Sequence, residues 1–173
     1  MLVRRLVLRD HVPPLIRLIV RPDQQDLVSS NAKTLAEAAY EAGSHVWGLW
    51  DGDVLVGLMA MIHPGEYPWQ DYLARQPSDD ATAAYLWRLM VGANFQGKGY
   101  GAAALAMAFD QTLTWGLSRL TAHVSDAPHS NLPFYERHGF RKTGERDGAE
   151  VVIAIDLPGA GSLPTAQSAF RKV

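Results

Sequence analysis

The 173-residue sequence contains no cysteine. That absence excludes disulfides, a thiolate nucleophile and thiolate metal ligands, and with them a secreted scaffold held by disulfides. An excess of either charge is also missing: 16 Lys and Arg stand against 18 Asp and Glu, for a formal net charge of −2. Nowhere do about five or six like charges run together as in an electrostatic arm, so no nucleic-acid partner is expected. Long apolar runs are lacking too. The longest, Val54 to Ile62, is far too short to cross a bilayer as a helix, and no membrane association is expected. Residues 1–21 superficially resemble a leader, but Arg4, Arg5, Arg9, Asp10 and Arg17 interrupt every apolar stretch, so the segment reads as folded protein, and a cytoplasmic location, compatible with the lack of cysteine, is expected. His11, His45, His63, His129 and His138 show no zinc-ligand spacing such as H-E-x-x-H, so no metal is expected.

What is present is a chain 47% hydrophobic, of a length that forms one domain with a full core. The patterning places that domain at residues 1–157 and leaves 158–173, rich in Gly, Ser, Pro and Ala, as a mobile tail. Val3 to Leu8 has the content of a strand, and Asp10 is suited to cap a short helix after it. A second helix follows Ser30 and Asn31, runs through Leu35 to Ala39 and closes at Gly43. His45 to Trp50 and Val54 to Ile62 read as an antiparallel hairpin turning at Asp51-Gly52-Asp53. The stretch from His63 to Asp80 is a long Pro- and aromatic-rich loop, of the kind that often carries function. Ala83 to Val91 is apolar except for Arg88, as in a strand covered on both faces; Arg88 is expected to pair with a carboxylate or to reach an edge.

The strongest local signal follows that strand. Gln96-Gly97-Lys98-Gly99-Tyr100-Gly101 opens an Ala-rich helix whose residues Ala102, Leu105, Ala106, Phe109 and Leu113 are expected to pack on the sheet. Glycines at a helix start leave backbone N–H groups unshielded at the positive end of the helix dipole, where a phosphate fits. An ordinary Gly-rich turn is the plain alternative. A Walker loop is excluded, because Lys98 is followed by Gly99 and not by a magnesium-binding hydroxyl. Gly97, Gly99 and Ala102 do fit the looser dinucleotide pattern G-x-G-x-x-A, with Asp126 placed for a ribose, so an NAD(P)-linked oxidoreductase stays open. The rest of the chain argues against it: the strand Leu120 to Ser125, a short helix Leu132 to Arg137 ending at Gly139, and a hairpin of Phe140 to Arg146 and Glu150 to Leu157 around Asp147-Gly148. A Rossmann domain would continue in repeated β-α units.

The run Leu89-Met90-Val91, then Gln96 to Gly101, resembles the acetyl-CoA motif Q/R-x-x-G-x-G/A of the GNAT acetyltransferases. Asn131-Leu132-Pro133-Phe134-Tyr135-Glu136-Arg137-His138-Gly139-Phe140 resembles that family's later N-x-x-x-Y-x-x-x-G-F segment. The resemblance implies an α/β (α+β) fold: a mixed, mostly antiparallel sheet of about seven strands, splayed between the fourth and fifth, with about four helices. It implies acetyl-CoA as co-substrate, with Gln96 beginning the loop, the backbone N–H groups of Gly97, Lys98, Gly99, Tyr100 and Gly101 on the pyrophosphate, and Asn131 on the pantetheine arm. Leu89 and Val91, at a bulge in the fourth strand, would pair with pantetheine and polarise the thioester, and Tyr135 would sit beside the sulfur.

Attack of an amine on a thioester needs a neutral amine, a donor for the oxyanion and a proton for the departing thiolate. Tyr135 carries a group suited to the last task, or packs as a core tyrosine; the motif favours the acid. The position where some family members place a carboxylate on the fourth strand is Trp87, which cannot accept a proton. His123 shares one face of the next strand with Ser125 and has a suitable imidazole, a water chain is the other candidate base, and an ordinary surface or core histidine is the plain alternative for His123. Glu136 and Arg137 read as the solvated face of the short helix.

The segment Leu86 to Val91 and the ending Gly144-Glu145 to Asp156-Leu157 look most like bacterial polyamine acetyltransferases. A polycation needs carboxylates and aromatic rings, which Glu66, Tyr67, Trp69, Asp71, Tyr72, Asp79 and Asp80 supply, with Glu37 and Glu41 on the second helix. A small amine such as spermidine or spermine is thus the expected partner, and a homodimer is compatible. The alternatives are a peptide, amino-acid or aminoglycoside acceptor, or an acetyl-CoA sensor with little catalysis.

Overall fold

The computed structural model describes residues 1–66 and 82–158. The expected tail beyond Pro158 and the loop residues Tyr67, Trp69, Asp71, Tyr72, Asp79 and Asp80 lie outside the described residues.

Among the described residues, seven strands form one sheet: β1 (Leu2–Leu6), β2 (Ser44–Asp51), β3 (Val54–Ile62), β4 (Ala84–Val91), β5 (Arg119–Ser125), β6 (Arg141–Asp147) and β7 (Glu150–Asp156). Their spatial order is β1-β2-β3-β4-β5-β7-β6. Neighbours are antiparallel except β4 and β5, which are parallel and pair through Ala84 with Leu120 and Tyr85 with Thr121. Past Tyr85 those two strands part, and the sheet opens between them. With helices α1 (Val12–Arg17), α2 (Asn31–Ala38), α3 (Tyr100–Thr114) and α4 (Leu132–Arg137) this is the splayed α+β architecture expected. The mixed topology rules out the dinucleotide reading, since a Rossmann sheet is mostly parallel. Asp126, its proposed ribose ligand, is instead held by Arg146 at 2.7 Å.

Alternation along β3 sorts the core into two layers. Met59 and Met61 join the cluster beneath α3 and α4, while Leu58 and Ala60 join Leu15 and Val20 from the α1 side. Asn31, buried at the start of α2, donates from Nδ2 to the carbonyls of Leu15 (2.9 Å) and Leu18 (3.1 Å) and so fastens α2 to the end of α1. Ser30 caps α2 by accepting from the Lys33 N–H at 3.2 Å.

Several local expectations need correction. Asp10 caps nothing: residues 9–11 form a 3-10 turn, and α1 begins at Val12 with Pro13 and Pro14 in its first turn, where a missing N–H costs little. Glu41 lies beyond the end of α2 and does not continue the helix wall. The buried face of α3 comprises Ala104, Leu105, Ala108, Gln111 and Thr112, whereas Ala102, Ala106 and Leu113 are exposed. Polar residues concealed that face. Gln111 is buried because its Oε1 accepts from Arg4 at 2.9 Å, and the Thr112 hydroxyl donates to the Ala108 carbonyl at 2.8 Å.

β4 is not simply covered on both faces. Its register against β3 slips, so that Ala60 opposes Arg88 and Met61 opposes Leu86, leaving Trp87 as the extra residue of a bulge. Parity reverses across it: Ala84 and Leu86 face the α3 layer before the bulge, Leu89 packs against that layer after it, and Trp87 and Met90 face the α1 layer.

Candidate active site

The glycine segment forms the first wall. Gly99 is the N-cap of α3 with φ +83°, and a Cβ there would meet nothing within 4 Å. Its shape is set by backbone freedom and not by packing. The first bond of the helix runs from the Ala103 N–H to the Gly99 carbonyl at 3.1 Å. The N–H groups from Gly97 to Ala102 donate to no described residue, and those of Tyr100, Gly101 and Ala102 belong to the first turn of α3, which leaves its N–H groups without intrahelical acceptors. They fit a pyrophosphate. Tyr100 is anchored by its hydroxyl, which donates to Asp51 Oδ2 at 2.6 Å; that bond holds the Asp51 carboxyl below its ordinary range and pushes the phenol up. The Lys98 ammonium turns away from the cavity to the Asn94 carbonyl, 3.1 Å distant, so this residue offers the site only its backbone.

The second wall is the free edge of β4. Met90 turns its carbonyl toward β3, where it would stand 2.5 Å from a Cβ on Gly57, and the Gly92 N–H donates to Val56 at 2.9 Å. Successive residues of a strand direct their polar groups to opposite sides, so Leu89 and Val91 present theirs to the opening. The Val91 carbonyl there accepts from Gln96 Nε2 at 3.0 Å, and the same nitrogen donates to Gln24 Oε1 at 2.7 Å.

The third wall comes from α4. Asn131 precedes the helix and makes no side-chain cap, while Tyr135 is 9% exposed, its ring edge-on to Phe134 and Phe140. Burial alone pushes the Tyr135 phenol up to about 12.

Two cavities meet here. One, of about 440 Å³, runs from the glycine segment along β4 and includes Leu89, Val91, Gln96, Gly97, Tyr100 and Asn131 in its lining. The other, of about 360 Å³, lies over the bulge and the facing half of β5, among Asp26, Tyr85, Trp87, Arg88, His123 and Glu150. Leu89, Asn131 and Tyr135 line both. The residues expected from sequence to hold acetyl-CoA, and Tyr135 with them, thus line the first cavity together, except for Lys98.

In the second cavity His123, its side chain 6% exposed, has Nδ1 3.2 Å from Asp147 Oδ2. Ser125 lines the same cavity, as alternation along β5 predicts. Arg88 finds the expected carboxylate in Glu37 at 3.5 Å and stacks its guanidinium 4.8 Å over the Trp87 ring. Glu37 is also bridged by Lys33 at 3.5 Å, and Glu66 by His45 at 3.0 Å, so neither carboxylate is a free wall of this cavity. Sequence reasoning missed Asp26, Asp147 and Glu150. It also missed Arg137, which is exposed yet lines the first cavity beside the glycine segment. The basic last turn of α4, close after Asn131, was its one signal.

The model of the acetyltransferase (GNAT) family matches residues 12–140. No curated protein matches the sequence. Among solved structures, the chain is similar to an acetyltransferase from Thermus thermophilus, with 23% identity, a TM-score of 0.67, and coverage of 91% of this chain and 97% of that one. It is similar to the ribosomal-protein-S18-alanine N-acetyltransferase of Escherichia coli (16% identity, TM-score 0.62, 94% and 97% covered). A third is the PaiA N-acetyltransferase of Thermoplasma acidophilum in complex with coenzyme A (15% identity, TM-score 0.62, 90% and 99% covered).

Proposed function

The chain belongs to the acetyltransferase (GNAT) family and is an acyltransferase, and from that premise we propose that it moves the acetyl group of acetyl-CoA to a small cationic amine, a polyamine such as spermidine or spermine. The observation that carries this reading is the junction of the two cavities at Leu89, Asn131 and Tyr135. A long phosphorylated thioester suits the first cavity, and an amine suits the second, where Asp26 and Glu150 supply carboxylates and Tyr85 and Trp87 supply rings.

Acetyl-CoA supplies an activated acyl carbon and a thiolate leaving group. The N–H groups from Gly97 to Ala102 receive its pyrophosphate, with Arg137 as a nearby cation. Asn131 and the Leu89 and Val91 backbone hold the arm, and a β4 N–H polarises the carbonyl. The neutral amine forms a C–N bond as the C–S bond breaks. Tyr135 gives its phenolic proton to the departing sulfur, and the second proton of the attacking nitrogen restores the phenol. A phenol raised to about 12 stays protonated until that moment. The burial that disfavours its anion disfavours a thiolate beside it equally, which keeps the transfer feasible.

Mass spectrometry of acetyl-CoA reactions with spermidine, spermine and short diamines is the test. The expected product is a monoacetylated polyamine. Acetylation confined to an amino acid, aminoglycoside or peptide N-terminus would replace the acceptor and keep the reaction; acetyl-CoA binding with no acetylated product would make the chain a binding module.

A further inference from the structure

Resting on the acetyl-transfer reading, we infer that His123 is the proton acceptor for the incoming ammonium, held in its working tautomer by Asp147, with Glu150 completing an anionic collar.

Chain topology brings these three residues together. β7 lies between β5 and β6, its first residue Glu150 opposes both Ser125 on β5 and Asp147 on β6, and His123 pairs with Val152. The β6–β7 turn therefore delivers two carboxylates to the end of β5. One ligand-type atom each of His123, Asp147 and Glu150 lies within 4.8 Å of the others. Tyr85 of β4 lies against His123, its ring centroid 4.8 Å from the imidazole. Among the described residues, the other charged groups on this cavity are Asp26 and Arg88, and Arg88 is already engaged by Glu37.

An imidazole whose Nδ1–H donates to a carboxylate leaves Nε2 as an acceptor. Nδ1 of His123 is the atom against Asp147, at 3.2 Å, and the ring lines the second cavity. An ammonium drawn in by Asp26, Glu150 and Asp147 passes one proton to Nε2; the amine is left neutral with its lone pair free, and the imidazolium releases the proton to solvent. That step removes the charge that would block attack, a task Trp87 at the bulge cannot perform. Asp147 acts through His123 and is a positioning residue.

Two measurements on the full chain decide the matter. In 15N NMR, with the His123 signal identified by its loss in His123→Gln, neutral His123 should be the Nδ1–H tautomer, and Asp147→Asn should abolish that preference. An Nε2–H tautomer in the wild type overturns the assignment whether or not any amine is acetylated. The second is the pH profile of kcat/KM with spermidine, or with whichever amine of the panel is acetylated. His123→Gln should lower kcat/KM about 10²-fold at neutral pH and leave a rate that rises only with the neutral fraction of the amine. Asp147→Asn should lower it about tenfold, and both should keep the wild-type melting temperature and acetyl-CoA affinity. An unchanged profile in His123→Gln, with chemistry rate-limiting, overturns the proposal, as does turnover that requires an added divalent cation and is abolished by EDTA. Failure of every amine in the panel, with the Nδ1–H tautomer intact, would overturn the acetyl-transfer reading instead.

Discussion

Gln96 donates its side-chain amide to the backbone carbonyl of Val91 at 3.0 Å. The residue that begins the glycine segment is thus clamped to the strand end it follows, and through Gln24 to the turn above it. This fixes where the unpaired N–H groups point before any ligand arrives. Gln96→Ala removes both bonds and should weaken acetyl-CoA about tenfold, equivalent to about 1.4 kcal/mol, in isothermal titration calorimetry. An unchanged Kd would mean that the glycine backbone alone sets the loop.

Much of this site was legible in sequence because each part rests on a local rule. The glycines before α3 and the Asn131-to-Phe140 segment are contiguous, and a run that folds as a unit can be read as one. The bulge at Trp87 was not legible in the same way: by reversing parity along β4 it erased the alternation that would have shown which residues face the cavity. The carboxylates were hidden for another reason. Asp147 and Glu150 flank a turn whose sequence says only that it turns; their approach to His123 follows from β7 inserting between β5 and β6. Asp26 reaches His129 at 2.9 Å, an ion pair joining residues 103 apart in the chain, which no local pattern encodes.

Gly99→Val tests the phosphate loop. At φ +83° a branched residue is strained, yet its Cβ would touch nothing, so the cost to stability should be confined to roughly 1–3 kcal/mol of backbone strain. Binding of acetyl-CoA should be lost, since the Cβ stands where the phosphate must approach. Wild-type protein at about a hundred times Kd of acetyl-CoA should gain about 2.7 kcal/mol in thermal denaturation, the variant nothing, and NADPH should stabilise neither. Stabilisation by NADPH alone would contradict the site.

Tyr135→Phe separates chemistry from packing. Turnover should fall about 10²-fold with acetyl-CoA affinity retained. Stability offers a second reading. The phenol titrates near 10 when unfolded and at about 12 when folded, so the folded state holds its proton more tightly. The resulting stabilisation is complete below pH 10 and disappears as pH rises to 12. Over that window the wild type should lose about 3 kcal/mol more than Tyr135→Phe in denaturant titrations. Parallel loss in both proteins would show that the phenol is not desolvated.

The acceptor cavity makes the last prediction. A polycation is drawn by charge at a distance and held by carboxylates at the wall, so its capture should depend on salt while the chemical step should not. Glu150 lines the second cavity at the start of β7 and takes part in none of the ion pairs described. Glu150→Gln keeps the shape of the side chain and removes its charge. KM for spermidine should rise several-fold, with kcat held within about twofold, and the slope of log kcat/KM against log salt should become shallower than in the wild type. Asp26→Asn should act in the same direction but less strongly, because that carboxylate is already partnered by His129, whose hydrogen bond holds it below its ordinary range. If Glu150→Gln leaves KM and the salt slope untouched while spermidine is still acetylated, the amine is captured by another wall, and the carboxylate belongs to the His123 collar alone. A fall in kcat with KM unchanged would place Glu150 in the proton-transfer step and not in capture, which the ratio of the two parameters distinguishes directly.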